Sequence, residues 1–242
     1  MLNKKICIVG TGQIGSRHFE SIIKENFPYD IFAVDPNSKS QNLLKKKWTE
    51  VSKDKTSHKL FQLDKLNDLP ENLDLVIIST PSQNRAELIK NLSSKIKPCY
   101  WIIEKVLAQS SEDLEVIKYA TEKAKGIYVN NGHRLTKFYQ YFKSKFFGQR
   151  PLRVTVEGGA WGLELMTAKR RLILRPMEQL QAIKLGSVLA ETIDPENEID
   201  KDFKPGLFLQ TKNFLEGNTS AFCTLSEQVE NIKIYSKIAG YL

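Results

Sequence analysis

Cysteine is nearly absent from this chain. Cys7, Cys99 and Cys223 are the three among 242 residues, and they stand far apart. With no Cys-x-x-Cys pair and no zinc spacing, no disulfide framework is expected, and no metal site. Cys7 and Cys99 sit inside apolar runs, where a free thiol acts as a small hydrophobe and suits a reducing compartment. Histidine is as scarce: His18, His58 and His133, with none after His133. No run approaches the ~20 apolar residues of a membrane-crossing helix. The run Ile6–Val9 that follows the basic start is too short for a secretion signal. A cytoplasmic setting and no membrane partner are therefore expected. Arginine is also sparse, 8 of the 36 basic residues that set the net charge of +8. The lysines are scattered apart from a denser stretch between Lys39 and Lys59. Reading nucleic acid would call for clustered Arg and stacking aromatics, so no nucleic-acid partner is expected.

What remains is ordinary globular material, 41% hydrophobic and 26% charged, enough for one large domain or two modest ones. Short apolar runs recur at Ile6–Val9, Ile31–Val34, Leu75–Ile78, Tyr100–Ile103 and Ile127–Val129. Continuous runs of this length are the habit of strands buried on both faces of a parallel sheet. His58–Leu63 reads as a weaker edge strand, and His58, among Lys and Ser, reads as a surface residue. Helical spacing separates the runs: Ile14, Phe19, Ile22 and Ile23; then Ala86, Leu88, Ile89 and Leu92; then Leu114, Ile117, Tyr119, Ala120 and Ala124. Ser110 and Asp113 form a capping box for the last of these helices, and Gly126 is placed to end it. Alternating strand and helix predicts an α/β chain: a Rossmann-type doubly wound parallel sheet over residues 1–132, then a short α+β domain over 133–242. The second domain would carry the substrate or hold copies together.

The turn after the first run is Gly10-Thr11-Gly12-Gln13-Ile14-Gly15, a G-x-G-x-x-G that opens a helix. Gly10 allows the tight turn, Gly12 lets a pyrophosphate approach the backbone, and Gly15 lets helix and strand pack closely. Free N–H groups and the positive end of the helix dipole face the phosphates, which makes Gln13 and Ile14 part of the same cradle. Asp35 ends the second run twenty residues after Gly15, the position from which a carboxylate accepts from ribose hydroxyls. It would repel a 2′-phosphate, so NAD is expected in preference to NADP, with Lys39 able to soften that preference.

These residues resemble the Gfo/Idh/MocA oxidoreductases, the family of glucose-fructose oxidoreductase and inositol dehydrogenase. The likeness rests on Gly10–His18, on Ser79-Thr80-Pro81 with Asn84, on Glu104-Lys105, and on Asn130–Arg134, and spans about residues 4–145. The Gly159–Gly162 stretch is similar to a subgroup of surface-polysaccharide sugar enzymes. The resemblance implies that Thr80, Pro81 and Asn84 line the adenosine and nicotinamide-ribose side of the cofactor. It places Glu104, Lys105 and Arg134 near the nicotinamide. Lys105 is the expected catalytic residue, since a lysine at the C-terminal edge of a parallel sheet can bond a substrate hydroxyl and stabilise alkoxide charge. His133 is a second catalytic candidate. For His18 two readings stand, a place beside the pyrophosphate or packing against a neighbouring strand.

The sequence departs from the family in three ways. Where a His-bearing helix would follow Trp161-Gly162-Leu163, it has Glu164–Arg171, with Lys169 near the expected His. Val106 follows Lys105 in place of proline. The second half is short, with strands expected at Leu152–Val156, Gly206–Thr211, Thr219–Leu225 and Val229–Tyr235 and a helix at Met177–Leu185. Lys169, Arg170, Arg171 and Arg175 form a basic cluster, solvated or facing a phosphate-bearing sugar. Two functions follow. One is an NAD(P)-dependent oxidoreductase acting on a sugar, nucleotide-sugar or polyol hydroxyl, with a possible homo-oligomer by resemblance. The other is a nucleotide-binding protein without redox activity.

Overall fold

The computed structural model describes residues 3–51, 57–146, 148–157, 162–175, 179–193 and 207–239. It contains two compact units, Met1–Gly132 together with Gly206–Leu242, and His133–Pro205. The C-terminal segment, expected with the second domain, thus packs with the first unit.

The first unit is a seven-stranded sheet. Its strands are β1 (Lys4–Val9), β2 (Tyr29–Val34), β3 (Lys59–Leu63), β4 (Asn72–Ile78), β5 (Lys97–Ile103), β6 (Gly126–Val129) and β12 (Cys223–Thr224), in the order β12-β6-β5-β4-β1-β2-β3. All neighbours are parallel except β12, which runs antiparallel along β6. The order reverses at β1, which pairs with β2 on one side and β4 on the other. Such a switch point opens a crevice at the carboxyl ends of the strands.

The apolar runs are continuous because both faces are covered. On one face Cys7, Val9, Val76, Ile78, Trp101 and Ile103 pack against α3 (Arg85–Ser93), α4 (Ser111–Thr121) and α7 (Leu225–Ala239). On the other, Ile6, Ile8, Ile31, Ala33, Leu75 and Ile77 meet α1 (Gln13–Ile23), α2 (Ser38–Val51) and α6 (Leu207–Leu215). The alternation of Ile6 and Ile8 with Cys7 and Val9 is the two-residue period of a strand. Each Ile, Leu or Val among them, taken out of water, contributes roughly 1.5–3 kcal/mol. The Lys-rich stretch falls on α2 as far as Val51, with residues 52–56 outside the described residues; Leu44 of α2 is buried and its Trp48 ring lies tilted against Phe19 at 6.1 Å. Ser110 caps α4 by accepting from the Asp113 N–H at 3.0 Å. Gly126 begins β6 instead of ending α4; a Cβ there would meet the Tyr100 ring and the Tyr128 hydroxyl, each at 3.1 Å.

Two expected strands are helices. Gly206–Thr211 falls on α6, except Gly206, which lies outside the described residues, and Val229–Tyr235 falls inside α7. Of Thr219–Leu225, the strand β12 takes Cys223 and Thr224. Leu207, Phe208, Gln210 and Thr211 are buried on one side of α6, a spacing that a strand cannot present. No helix among the described residues is long and apolar enough to cross a membrane.

His58 is buried, against expectation. Its ring stacks on Tyr29 at 5.7 Å, its Nδ1 accepts from the Tyr29 N–H at 3.2 Å, and its Nε2 donates to the Glu25 carbonyl at 3.1 Å. This pattern fixes the neutral tautomer. Burial pulls the imidazole pKa down, opposed by the backbone bonds. As pH falls below the ordinary histidine value, the unfolded chain therefore gains a proton that the folded chain refuses. Stability declines through that window and levels off below the depressed pKa. Urea melts between pH 7.5 and 5 should show this slope. His58→Ala should flatten it while costing about 1–3 kcal/mol at pH 7.5 through the orphaned Tyr29 amide.

The second unit is an antiparallel meander of β7 (Arg153–Glu157), β8 (Gly162–Met166), β9 (Arg170–Leu174), β10 (Leu180–Lys184) and β11 (Glu191–Ile193), joined by α5 (Lys137–Phe146). Leu172, Leu174, Leu180 and Ala182 form its core with Tyr139 and Tyr141 of α5. Glu164–Arg171, where the family would place its His-bearing helix, is a hairpin, and Lys169 sits in its turn. Leu163↔Leu174 and Leu165↔Leu172 share one face, while Glu164 and Arg171 take the other. Arg171 forks onto Glu164 at 2.8 and 2.9 Å and holds that carboxyl below the usual carboxylate range. The helix expected at Met177–Leu185 is strand β10 from Leu180 onward; residues 177 and 178 lie outside the described residues, as do 158–161.

Candidate active site

The carboxyl ends of the strands are tied into one platform. The Gly10 N–H donates to the Val34 carbonyl at 2.9 Å, Ser79 N–H to Val9 at 2.9 Å, Glu104 N–H to Ile78 at 2.9 Å and Asn130 N–H to Ile103 at 2.7 Å. Each strand thus passes its ladder on into the loop that follows. Ser79 Oγ also donates to the Gly10 carbonyl at 2.6 Å, pinning the glycine turn to the end of β4.

That turn does what its sequence predicts. Gly10 has φ of 86°, the left-handed region that favours glycine. A Cβ at Gly15 would lie 1.9 Å from the Gly10 carbonyl oxygen, so helix and strand approach too closely for any other residue. At Gly12 a Cβ would meet nothing within 4 Å. Gly12 is the N-cap of α1, without a side-chain cap and with no acidic residue in the first turn, so the helix offers its N–H groups unopposed.

A cavity of about 1060 Å³ opens beside this turn. Gly10, Gly12, Asp35, Thr80 and Pro81 line it, with Asn37, Lys65 and Lys95 further along the wall. Thr80 Oγ1 is buried with no hydrogen-bond partner among the described residues. Asp35 accepts from the Thr11 N–H at 2.7 Å, the Thr11 hydroxyl at 3.3 Å and the Asn37 N–H at 2.9 Å. A carboxylate has about four lone-pair sites, which leaves it one further acceptor position. The open space at Gly12, the orphaned Thr80 hydroxyl and the fixed carboxylate fit the diphosphate and ribose of a dinucleotide.

Gln13, Ile14 and Gly15 form the first turn of α1. Asn84 is the N-cap of α3 with φ of 57° and is not in the cavity wall. Glu104 and Lys105 follow β5. Lys105 is exposed, joined to Val106 by a cis peptide bond, while Glu104 is buried. His133 and Arg134 fall in the second unit, in the 3₁₀ turn Gly132–Leu135.

Glu104 takes part in a buried cluster. His18, fully buried, places Nε2 2.8 Å from Glu104 Oε1 and Nδ1 3.1 Å from Thr211 Oγ1. Asn130 Nδ2 donates to the same Glu104 oxygen. His18 thus does more than pack: it joins α1 to the residue before Lys105 and to α6. Behind the turn lies Arg85, whose Nη1 donates to the Glu104 and Val106 carbonyls and whose Nη2 donates to the Thr80 carbonyl. Burial pulls the Arg85 pKa down and the Glu104 charge opposes the shift. Arg85 and Thr211 were not singled out from the sequence. Arg85 had a signal: an arginine in a lysine-rich chain, followed directly by Ala86, Leu88 and Ile89.

A glycine turn, an acidic end to β2 and a switch-point cavity define a dinucleotide-binding Rossmann unit. The chain belongs to the Gfo/Idh/MocA oxidoreductase family with an NAD-binding Rossmann fold, whose family model matches residues 4–133. No curated protein matches the chain in sequence. Among solved structures it is similar to UDP-N-acetylglucosamine 3-dehydrogenase GnnA from Acidithiobacillus ferrooxidans, at 11% identity and a TM-score of 0.61 over 94% of each chain. An oxidoreductase from Agrobacterium radiobacter in complex with NAD+, L-tartaric acid and magnesium shares 12% identity and a TM-score of 0.61, over 94% of this chain and 92% of that one. The transcriptional regulator Gal80p from Kluyveromyces lactis shares 10% identity and a TM-score of 0.63, over 94% of this chain and 86% of that one. At such identities the likeness shows the fold alone.

Proposed function

We propose that this chain is an NAD-dependent oxidoreductase that acts on a hydroxyl-bearing carbon of a sugar, nucleotide-sugar or polyol. The observation that carries the proposal is an exposed Lys105 on a turn whose flanking groups, Glu104 and the Val106 carbonyl, are both gripped from behind. A proton-transfer group needs this combination of a free side chain and a fixed base. Gly10, Gly12, Gln13, Ile14 and Gly15 hold the diphosphate, Asp35 the adenosine ribose, and Thr80, Pro81 and Asn84 the remainder of the dinucleotide, which supplies the hydride acceptor. Lys105, in its neutral amine form, takes the proton of the substrate hydroxyl as hydride leaves the same carbon for the cofactor, and the resulting ammonium returns that proton in the reverse direction. Glu104 holds Lys105 in place through its bonds to His18 and Asn130. GnnA, named as a nucleotide-sugar dehydrogenase, supports the substrate class.

The test is NADH formation, followed by absorbance, from NAD+ and a panel of UDP-sugars, free sugars and polyols; sustained turnover with one is expected. The competing reading is a nucleotide-binding protein without redox activity. The absence of any histidine after His133 and the fold shared with a transcriptional regulator favour it. Tight NADH binding with no turnover across the whole panel would decide for that reading.

Asp35 sets the cofactor preference. Wild-type protein should bind NADH at least tenfold more tightly than NADPH. Asp35→Ala should weaken NADH binding and invert the ratio, because the repelling charge is gone while Lys65 remains in the wall. Fluorescence titration of both nucleotides measures this; equal affinities in the wild type would remove Asp35 as the discriminating group.

A further inference from the structure

Val106 leaves the backbone beside Lys105 without the fixed φ that a proline ring would impose. Its side chain is 66% exposed and packs on little. The turn is held from inside instead. Arg85 is 2% exposed, and Nη1 alone reaches the carbonyls on both sides of Lys105, with the Leu107 carbonyl at 3.5 Å. Nη2 joins that turn to Thr80 in the cavity wall. The fork is needed for this. A lysine ammonium is a single point and cannot span carbonyls of two separate loops at once. A buried cation is also a poor way to gain stability, since an apolar residue of similar volume often serves as well or better. The guanidinium instead sits where Nη1 meets the backbone carbonyls on either side of the proposed proton carrier and Nη2 meets the cavity wall.

We propose that Arg85 is a positioning residue that fixes the Lys105 turn, taking the part a proline at position 106 would play, and locks it to the cavity wall. The inference rests on the reading of Lys105 as the proton-transfer group. Arg85→Lys keeps a cation but loses the fork. In the ligand-free protein, amide exchange across 104–108 should accelerate about tenfold or more, while β1 amides keep their wild-type rates. Turnover should fall roughly 10- to 100-fold, as for a small misplacement of a catalytic group, with the NADH dissociation constant altered less than about threefold. Val106→Pro, added to Arg85→Lys, should slow exchange again and recover most of the turnover.

Unchanged exchange in Arg85→Lys, or a folded double variant with no recovery, overturns the proposal. Should Arg85→Lys alone fail to fold, the Val106→Pro background decides: a folded, active double variant supports the assignment, and an unfolded one overturns it. If the wild type turns over no substrate, exchange rates still judge Arg85, and the failure belongs to the proposed activity.

Discussion

Lys105→Ala should bind NADH as the wild type does and turn over about 10²- to 10⁴-fold more slowly, the range that a positioned acid or base contributes. The separation of the two effects follows from where the side chain stands. Lys105 is exposed, so truncation removes no core contact, and surface changes of this kind usually alter stability by less than about 0.5 kcal/mol. The cavity wall beside the glycine turn does not include it. The cost should therefore fall on kcat. Stopped-flow or steady-state rates beside a calorimetric NADH titration make the comparison. Wild-type turnover in the alanine variant would assign proton transfer to another group.

The glycine turn gives the second large effect, and two of its members should fail in different ways. At Gly12 an alanine Cβ meets no protein atom within 4 Å, and φ of −62° is ordinary for alanine. Gly12→Ala should fold with an unchanged melting temperature. Its methyl group projects into the space assigned to the diphosphate, and a clash of about 1–3 kcal/mol there corresponds to roughly a 10- to 150-fold loss of NADH affinity. At Gly15 the added carbon would stand 1.9 Å from the Gly10 carbonyl and 2.7 Å from Ser79 Oγ. Backbone must move, and the Ser79 bond that pins the turn is lost with it. Gly15→Ala should therefore lose both stability, by about 1–3 kcal/mol or more, and binding. Calorimetric melts and NADH titrations of the pair distinguish the cases. A Gly12→Ala protein with full affinity would place the diphosphate elsewhere.

The first unit was legible because its strands are buried on both faces, which turns Ile6–Val9, Leu75–Ile78 and Tyr100–Ile103 into uninterrupted apolar runs. The turn at Gly10–Gly15 and the acid at Asp35 were legible because their geometry is local. The C-terminal helices were not. Leu207-Phe208-Leu209 and Val229–Tyr235 are short apolar clusters that fit either period, and what decides them is packing, of the first helix against α1 and of the second against β6, partners far away in sequence. The β8–β9 hairpin was not singled out in the sequence; Leu163 and Leu165 facing Leu174 and Leu172 is the alternation that reveals it. The supports of Lys105 escaped for the same reason as the helices. His18 meets Thr211 across 193 positions of chain, and Arg85 grips carbonyls whose residue types carry no trace of the contact.

The antiparallel strand β12 covers the flank of β6, and α6 delivers Thr211 to His18, yet both come after the residues that form the second unit. During vectorial synthesis the Rossmann sheet thus leaves the ribosome with one border bare and its buried imidazole half satisfied. Maturation of the nucleotide site must wait for translation to run well past the meander, and a nascent chain halted there should lean on chaperones to shield that open border.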